Sequence, residues 1–178
     1  MTTKLVFKPW FGWHVGRIED YLEEMARKGW RLEKVAFSQM IFRFVKGEPR
    51  KVRYCVDFRP KADMEYKRLF ADDGWELIDV SVGWLLWAKE YEGERPQIYS
   101  DNQSLIERNK RLIYILIFAL IMQVPALTIN INRMRTEMLG QPLSDAMRVF
   151  VLFYAIMLFI LILGLVRLII VNQQLKGG

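Results

Sequence analysis

The chain has 178 residues, of which 52% are hydrophobic, and its 26 Lys and Arg against 20 Asp and Glu give a formal net charge of +6. Residues 1–95 hold 18 of the basic and 16 of the acidic residues, a net of only +2, so nucleic-acid binding gains little support. One Cys and one His exclude an internal disulfide and provide no cluster with metal-ligand spacing. We therefore expect no metal or cofactor.

Two Gly-Trp pairs indicate that the first 95 residues are an internal repeat. An alignment without a gap pairs the following positions: Gly29 with Gly74, Trp30 with Trp75, Leu32 with Leu77, Val35 with Val80 and Phe42 with Trp87. We expect each Gly to end a helix with positive φ, because a residue without Cβ adopts that conformation easily. A repeat of this kind defines an architecture before it indicates any chemistry.

Each repeat has the pattern strand, helix, strand, strand. The segment Lys4–Lys8 alternates, with Leu5 and Phe7 on one face, and the helix after it has an apolar stripe that includes Ile18 and Leu22. The opposite side of that helix is predicted to be its polar face: Glu19, Asp20, Glu23, Glu24, Arg27 and Lys28.

The second repeat begins with the strand Lys51–Arg59, which is predicted to face inward with Val52, Tyr54, Val56 and Phe58 and outward with alternate residues such as Cys55 and Asp57. A helix over Asp63–Asp73 follows, with the stripe Tyr66, Leu69 and Phe70, and each repeat closes with a hairpin. The fold class predicted for residues 1–95 is α+β, a tandem βαββ repeat forming one ferredoxin-like antiparallel sheet with two helices.

Two apolar runs after the domain are long enough to cross a membrane. Leu112–Ile131 has no charged residue, and Val149–Val171 has only Arg167. They predict a transmembrane hairpin with a juxtamembrane segment at 96–111, an external loop at 132–148 and a tail at 172–178. The polar Gln123 beside Pro125 is expected to bond a neighbouring helix at a kink.

Basic residues around the runs predict which side the domain lies on. Six flank the two outer ends of the hairpin and three lie in its loop: Arg95, Arg108, Lys110, Arg111, Arg167 and Lys176 against Arg133, Arg135 and Arg148. By the positive-inside rule, the N-terminal domain and the C-terminus face the cytoplasm of a multi-pass membrane protein. The N-terminal segment has no apolar region of the secretory type.

The segments MARKGWRLEK and RYCVDFRP, with the second Gly-Trp and its apolar hairpin, carry a family resemblance. Over about residues 4–92 the chain resembles a bacterial family catalogued as a domain of unknown function, DUF2812, common in Firmicutes. The resemblance implies transmembrane helices behind the domain, genes beside PadR-type transcriptional regulators, and a membrane-linked accessory or regulatory role. It implies no catalytic residue.

Aromatic residues are the strongest candidates for a functional surface. The loop WFGWH and the last strand of the second repeat, which is apolar on both faces, predict a surface that meets a protein partner, a second copy or an apolar ligand. His14 is alternatively a hydrogen-bonded loop residue, and Arg43 with Asp57 alternatively a cross-strand ion pair. The candidate residues are Trp10, Phe11, Trp13, His14, Arg43, Asp57, Trp84 and Trp87.

Two functions agree with these features. The first is a membrane-anchored cytosolic binding or regulatory module without enzymatic activity, in contact with the lipid bilayer and with a protein partner or another copy of itself. The second is an accessory subunit of a membrane transporter complex. The chain offers no nucleophile with a matched base and no phosphate-binding glycine loop, which argues against an enzyme.

Overall fold

The computed structural model describes residues 2–96, 102–138 and 145–177, without the side chains of 102–104, 133–138 and 146. The chain divides into two compact units, Met1–Ser104 and Leu105–Gly178. Parts of the predicted juxtamembrane segment and external loop, the side chains of Arg133 and Arg135, and Gly178 lie outside the described residues.

The first unit contains six strands and two long helices in the predicted order. The elements are β1 (Thr3–Phe7), α1 (Val15–Arg27), β2 (Trp30–Ala36), β3 (Ile41–Lys46), β4 (Val52–Phe58), α2 (Met64–Asp72), β5 (Glu76–Ser81) and β6 (Trp84–Glu90), with a short 3-10 turn at Gly12–His14. All strand pairs are antiparallel, which confirms the α+β class. The strands form two sheets rather than the one predicted: sheet A in the order β1-β3-β2 and sheet B in the order β4-β6-β5.

Both hairpins contain the same irregularity. The register shifts between Leu32 and Lys34 in sheet A and between Leu77 and Asp79 in sheet B, at equivalent positions of the two halves. The turns differ, however, because β2 and β3 are joined by four residues and β5 and β6 by two. The alignment without a gap is therefore wrong beyond the turn, and Trp87, the partner of Leu77, corresponds to Phe44, the partner of Leu32.

Helix α1 packs with two of its sides. Its apolar stripe, including Ile18 and Leu22, enters a core shared with residues of both sheets, such as Phe44 and Val56. The prediction that Glu19 and Glu23 are surface residues is wrong, since both are buried. α1 lies beside the edge of β4 that no strand covers, and Glu19 Oε1 accepts a hydrogen bond of 2.9 Å from the Val56 backbone N–H there.

Sheet B is covered on both faces. One face belongs to the core shared with α1 and sheet A, and the other packs under α2 with Tyr66, Phe70 and Trp87. Cys55 and Asp57, predicted to point outward, are consequently buried on the α2 side. Leu69, predicted to belong to the apolar stripe of α2, is 68% exposed.

Strand β1 directs the face that carries Leu5 and Phe7 away from the core. Val6 packs against the shared core, whereas Leu5 and Phe7 are 71% and 65% exposed. The neighbouring Lys4 and Lys8 extend over aromatic rings: Lys4 Nζ lies 5.7 Å from the Trp30 ring centroid, and Lys8 Nζ 4.3 Å from that of Tyr21. Their long apolar stems cover the rim of the core while the ammonium groups remain in contact with the ring faces.

The second unit is helical. Its helices are α3 (Asn102–Met122), α4 (Val124–Met138) and α5 (Asp145–Gly177). Two segments, Leu105–Asn132 and Met147–Gly177, are long and apolar enough to cross a membrane, and only 6% of the most apolar window of each is buried. As expected, the first segment is interrupted at Gln123. The Tyr154 hydroxyl of α5 lies 3.2 Å from both the Gln123 backbone oxygen and its Oε1.

Candidate interaction surface

The outer face of sheet A is the one sheet face of the described domain that no helix or second sheet covers. Leu5 lies opposite Arg43 and Phe7 opposite Ile41 across the β1–β3 pair. Arg43 Nε binds Glu33 Oε2 at 2.9 Å, and both side chains are exposed. We call Leu5, Phe7, Ile41 and Arg43 the open face. Its two exposed large apolar side chains, Leu5 and Phe7, beside a charged pair resemble the composition of a protein interface.

A second exposed group lies where both hairpins turn. β1 and β4 end, and β3 and β6 begin, at the same end of the domain, because Phe7 pairs with Ile41 and Phe58 with Trp84. The loop after β1 lies at this end too, since Trp10 packs edge-on against Trp84 with ring centroids 4.9 Å apart. We call this the hairpin end. Its exposed apolar side chains are Phe7, Phe11, Phe37 and Val82.

Gln39 fixes the first hairpin turn in place. Its backbone oxygen accepts a 2.7 Å hydrogen bond from Trp10 Nε1, and its buried amide donates to Asp79 Oδ2 at 3.0 Å. The turn is conformationally unfavourable, because Phe37, Ser38 and Gln39 have φ values of 49°, 50° and 61°. Strain of this kind persists where the surrounding contacts determine the conformation, as these two hydrogen bonds do.

A buried charge network lies along one side of α1. The Arg53 guanidinium donates to Glu23 Oε1 at 2.6 Å and Glu19 Oε2 at 3.1 Å. Arg95, in the segment after β6, also binds Glu23, at 2.8 and 3.1 Å. Burial lowers the pKa of Arg53, but the two carboxylates outweigh it and raise the pKa above its usual value.

A cleft of about 560 Å³ adjoins this network. Asp20, Glu23, Arg27, Lys51, Tyr91, Gly93 and Arg95 line it. Its acidic and basic groups already pair with each other: Glu23 binds Arg95, and Arg95 also approaches Asp20 at 3.5 Å. The network is therefore best explained as the link that joins α1, the edge of β4 and the segment after β6.

Asp57 is likewise buried and forms its hydrogen bond inside the domain. It accepts a hydrogen bond of 2.8 Å from the Tyr66 hydroxyl of α2. The Arg59 guanidinium lies 4.2 Å from the Tyr66 ring centroid. Burial, then the Asp57 charge, raises the pKa of Tyr66, so this hydroxyl remains a donor at neutral pH.

The family model of the protein of unknown function DUF2812 matches residues 14–121. That range covers more than half of the chain. The chain belongs to the DUF2812 family. No curated protein and no solved structure matches it. The DUF2812 match extends past the α+β domain through most of α3, so it includes the first part of the apolar segment Leu105–Asn132 together with the domain.

The structure separates the candidate residues of this DUF2812 chain into two groups. Four pack within the cores of the domain or against them: Trp10, Trp84, Trp87 and Asp57. The other four are half-buried or exposed at its surface: Phe11, Trp13, His14 and Arg43. The apolar character of both faces of β6 is thus explained by packing inside the domain, with the long side chains of sheet A on one side and α2 on the other. Phe11 stacks on Trp13 at 4.8 Å, with His14 beside that indole.

Arg43 and Asp57 do not form the proposed pair. Arg43 binds Glu33 on sheet A, while Asp57 binds Tyr66 under sheet B. The predicted geometry requires both strands to share a sheet, whereas the DUF2812 domain divides them between two. Arg43 and Asp57 therefore do not line one common ligand site.

Several residues of the site were absent from the sequence-based candidates. Leu5 and Phe7 were placed on one face of a strand without an indication that this face is open. For Gln39, nothing in the sequence indicated a buried role beyond its position in the longer first turn. The signal available for Glu19 and Glu23 was their i, i+4 spacing, which places two carboxylates on one side of a helix where a single cation can contact both.

Proposed function

We propose that the protein is a membrane-anchored, non-enzymatic binding module that recognises another protein through the open face of sheet A. The observation that carries the proposal is the exposure of Leu5 and Phe7 on the one described sheet face without a covering layer. Large apolar side chains grouped on one sheet face favour association, because their burial against a partner removes them from water.

The membrane anchor is proposed from α3 and α5. Only 6% of the most apolar window of each segment is buried within the protein, which agrees with a lipid environment. The distribution of basic residues supports a cytoplasmic domain. The strand order β1-β3-β2, repeated as β4-β6-β5, supports a ferredoxin-like origin for each half of the domain.

A non-enzymatic role is supported by where the reactive residue types lie. Cys55 belongs to the core under α2, and the His14 ring lies beside Trp13 at a centroid distance of 6.0 Å. The carboxylates of the 560 Å³ cleft pair with arginines. Among the described residues, no group of three or more His, Cys, Asp or Glu could hold a metal ion.

The proposal is tested by changing the open face alone. We expect Leu5→Asp to abolish the association of the full-length protein, purified in mild detergent, with a partner or with a second copy. Leu69→Asp is the matched control, because Leu69 is equally exposed on α2. All six Trp precede residue 88, so Trp fluorescence verifies that the domain of each variant is folded.

The same purification tests the transporter alternative. A polytopic membrane protein that co-purifies with wild type and with Leu5→Asp would favour an accessory subunit attached through its helices, whose exposed apolar surface suits such a contact. If wild type carries no partner and is monomeric, the binding-module proposal is wrong.

A further inference from the structure

The hairpin end projects apolar side chains from a rigid base. Phe37 and Val82, at the tips of the two turns, are 70% and 81% exposed, and Phe11 extends beside them from the loop after β1. Beneath them, the Trp10 indole donates a hydrogen bond to the Gln39 backbone oxygen, and the Gln39 amide donates one to Asp79 of the second hairpin. The two tips are therefore joined through buried contacts, and the side chains above them keep a defined spacing.

Two exposed basic side chains accompany the apolar tips at this end. Arg17, in the first turn of α1, and Lys61, beside the second hairpin, are exposed and have no partner among the described side chains. Two acids near this end are engaged: Asp63 accepts from the Tyr66 backbone N–H at the start of α2, and Asp79 accepts from Gln39. Glu65, in the first turn of α2, is exposed. The exposed end thus combines apolar tips with two exposed basic side chains.

The shape of this end favours a fluid surface over a folded partner. The apolar side chains lie on separate turns and loops, so a folded protein would need several matching pockets to bind them. Lipid headgroups and acyl chains, in contrast, rearrange around each side chain. Aromatic side chains are favoured at the membrane interface, and Lys and Arg near the surface attract anionic lipids. Trp13, stacked on Phe11, adds a residue type enriched there.

We propose that the hairpin end docks on the anionic surface of the lipid bilayer. The inference rests on the membrane anchoring of the proposed function, because an anchored domain meets the bilayer at a high effective concentration. The connection between the domain and α3 is long enough for this docking. Arg95 is bound to Glu23, and the seven steps from Arg95 to Asn102 can span at most roughly 25 Å. This reach is about the length of a seven-residue strand of the domain.

Site-directed spin labelling of the full-length protein in nanodiscs tests this contact. Cys55 is the sole cysteine and is buried, so a nitroxide can be attached selectively through Ser38→Cys at the first hairpin tip. Ala71→Cys, at another small exposed position near the end of α2, is the matched control. The readout is the ratio of oxygen to nickel-chelate accessibility of the label, which rises with membrane depth.

In bilayers containing phosphatidylglycerol we expect this ratio at position 38 to exceed that at position 71 several-fold. Adding Phe37→Asp, or Arg17→Glu together with Lys61→Glu, should return position 38 to the value at position 71, and so should a bilayer of phosphatidylcholine alone. Phe37, Arg17 and Lys61 are exposed, so these changes leave both cores intact.

Two outcomes would overturn the proposal. Equal ratios at positions 38 and 71 in anionic bilayers would place the hairpin end in water. Protection of position 38 from oxygen and nickel alike would assign it to a contact between protein surfaces. Alkaline carbonate extraction, measured in parallel, distinguishes a failure of docking from a failure of membrane anchoring. A protein that resists extraction is still anchored, whereas a protein released from the membrane contradicts the proposed function itself.

Discussion

Gly29 and Gly74 are equivalent in position but differ in what surrounds them. Both have the predicted positive φ, 74° and 79°, directly after a helix. Helix α2 ends in a Schellman motif, with Trp75 N–H donating to the Phe70 carbonyl and Gly74 N–H to that of Ala71. A Cβ at Gly29 would lie 2.6 Å from the Gly47 backbone oxygen, whereas a Cβ at Gly74 would approach only the flexible end of Lys89, at 3.8 Å.

We therefore expect Gly29→Ala to lower the free energy of unfolding more than Gly74→Ala. The conformational penalty of about 1 kcal/mol applies to both, and Gly29→Ala adds a backbone clash that brings the total to about 2–3 kcal/mol. Denaturant unfolding of the full-length protein in detergent, followed by Trp fluorescence, measures both. Equal losses would show that the contact between Gly29 and Gly47 is easily relieved.

Among the elements, α1 is the one whose role differs most from its pattern. It is an amphipathic helix whose acidic side is also buried, because Glu19 and Glu23 bind Arg53 at the edge of β4 that no strand covers. A helix that covers an edge strand prevents that edge from pairing with another chain. Glu19 satisfies the Val56 N–H that this arrangement buries, and the two carboxylates accept from the two terminal nitrogens of the Arg53 guanidinium.

Glu19→Ala should consequently reduce the free energy of unfolding by about 3 kcal/mol, since it removes one member of a largely buried charge network. Glu19→Gln should cost less, because an amide oxygen still accepts from Val56. Glu24→Ala, on the exposed side of the same helix, should cost much less, because an exposed ion pair contributes little to stability. The same denaturant experiment measures all three, and a similar loss for Glu24→Ala would contradict the special role of the β4 edge.

The whole molecule joins an α+β domain to two membrane-length helices, and its orientation is a prediction from charge. Six basic residues flank the outer ends of the helices against three in the connecting loop. Both termini should thus face the cytoplasm. A cytoplasm-active reporter fused after Gly178 should be active, and an export-dependent reporter inserted within 136–144 should be active as well. The reverse pattern would invert the topology.

Much of the fold was predictable because it depends on neighbours in the chain. The helix-ending glycines, the order of strands and helices, the two apolar helices and the polar contact of Gln123 all follow from local pattern, since capping, periodicity and hydrophobic length act within a few residues. The family resemblance came from the same local segments and is confirmed by the match over residues 14–121.

The tertiary structure alone decided which faces are covered. Alternation along β1 separates Leu5 and Phe7 from Val6, and alternation along β4 separates Cys55 and Asp57 from Val56, yet neither pattern indicates whether a second layer packs on each side. Here α2 covers one face of sheet B and α1 with sheet A covers the other, which leaves Leu5 and Phe7 in solvent. Burial depends on contacts between segments distant in the chain, and a side chain's own sequence neighbours do not determine them.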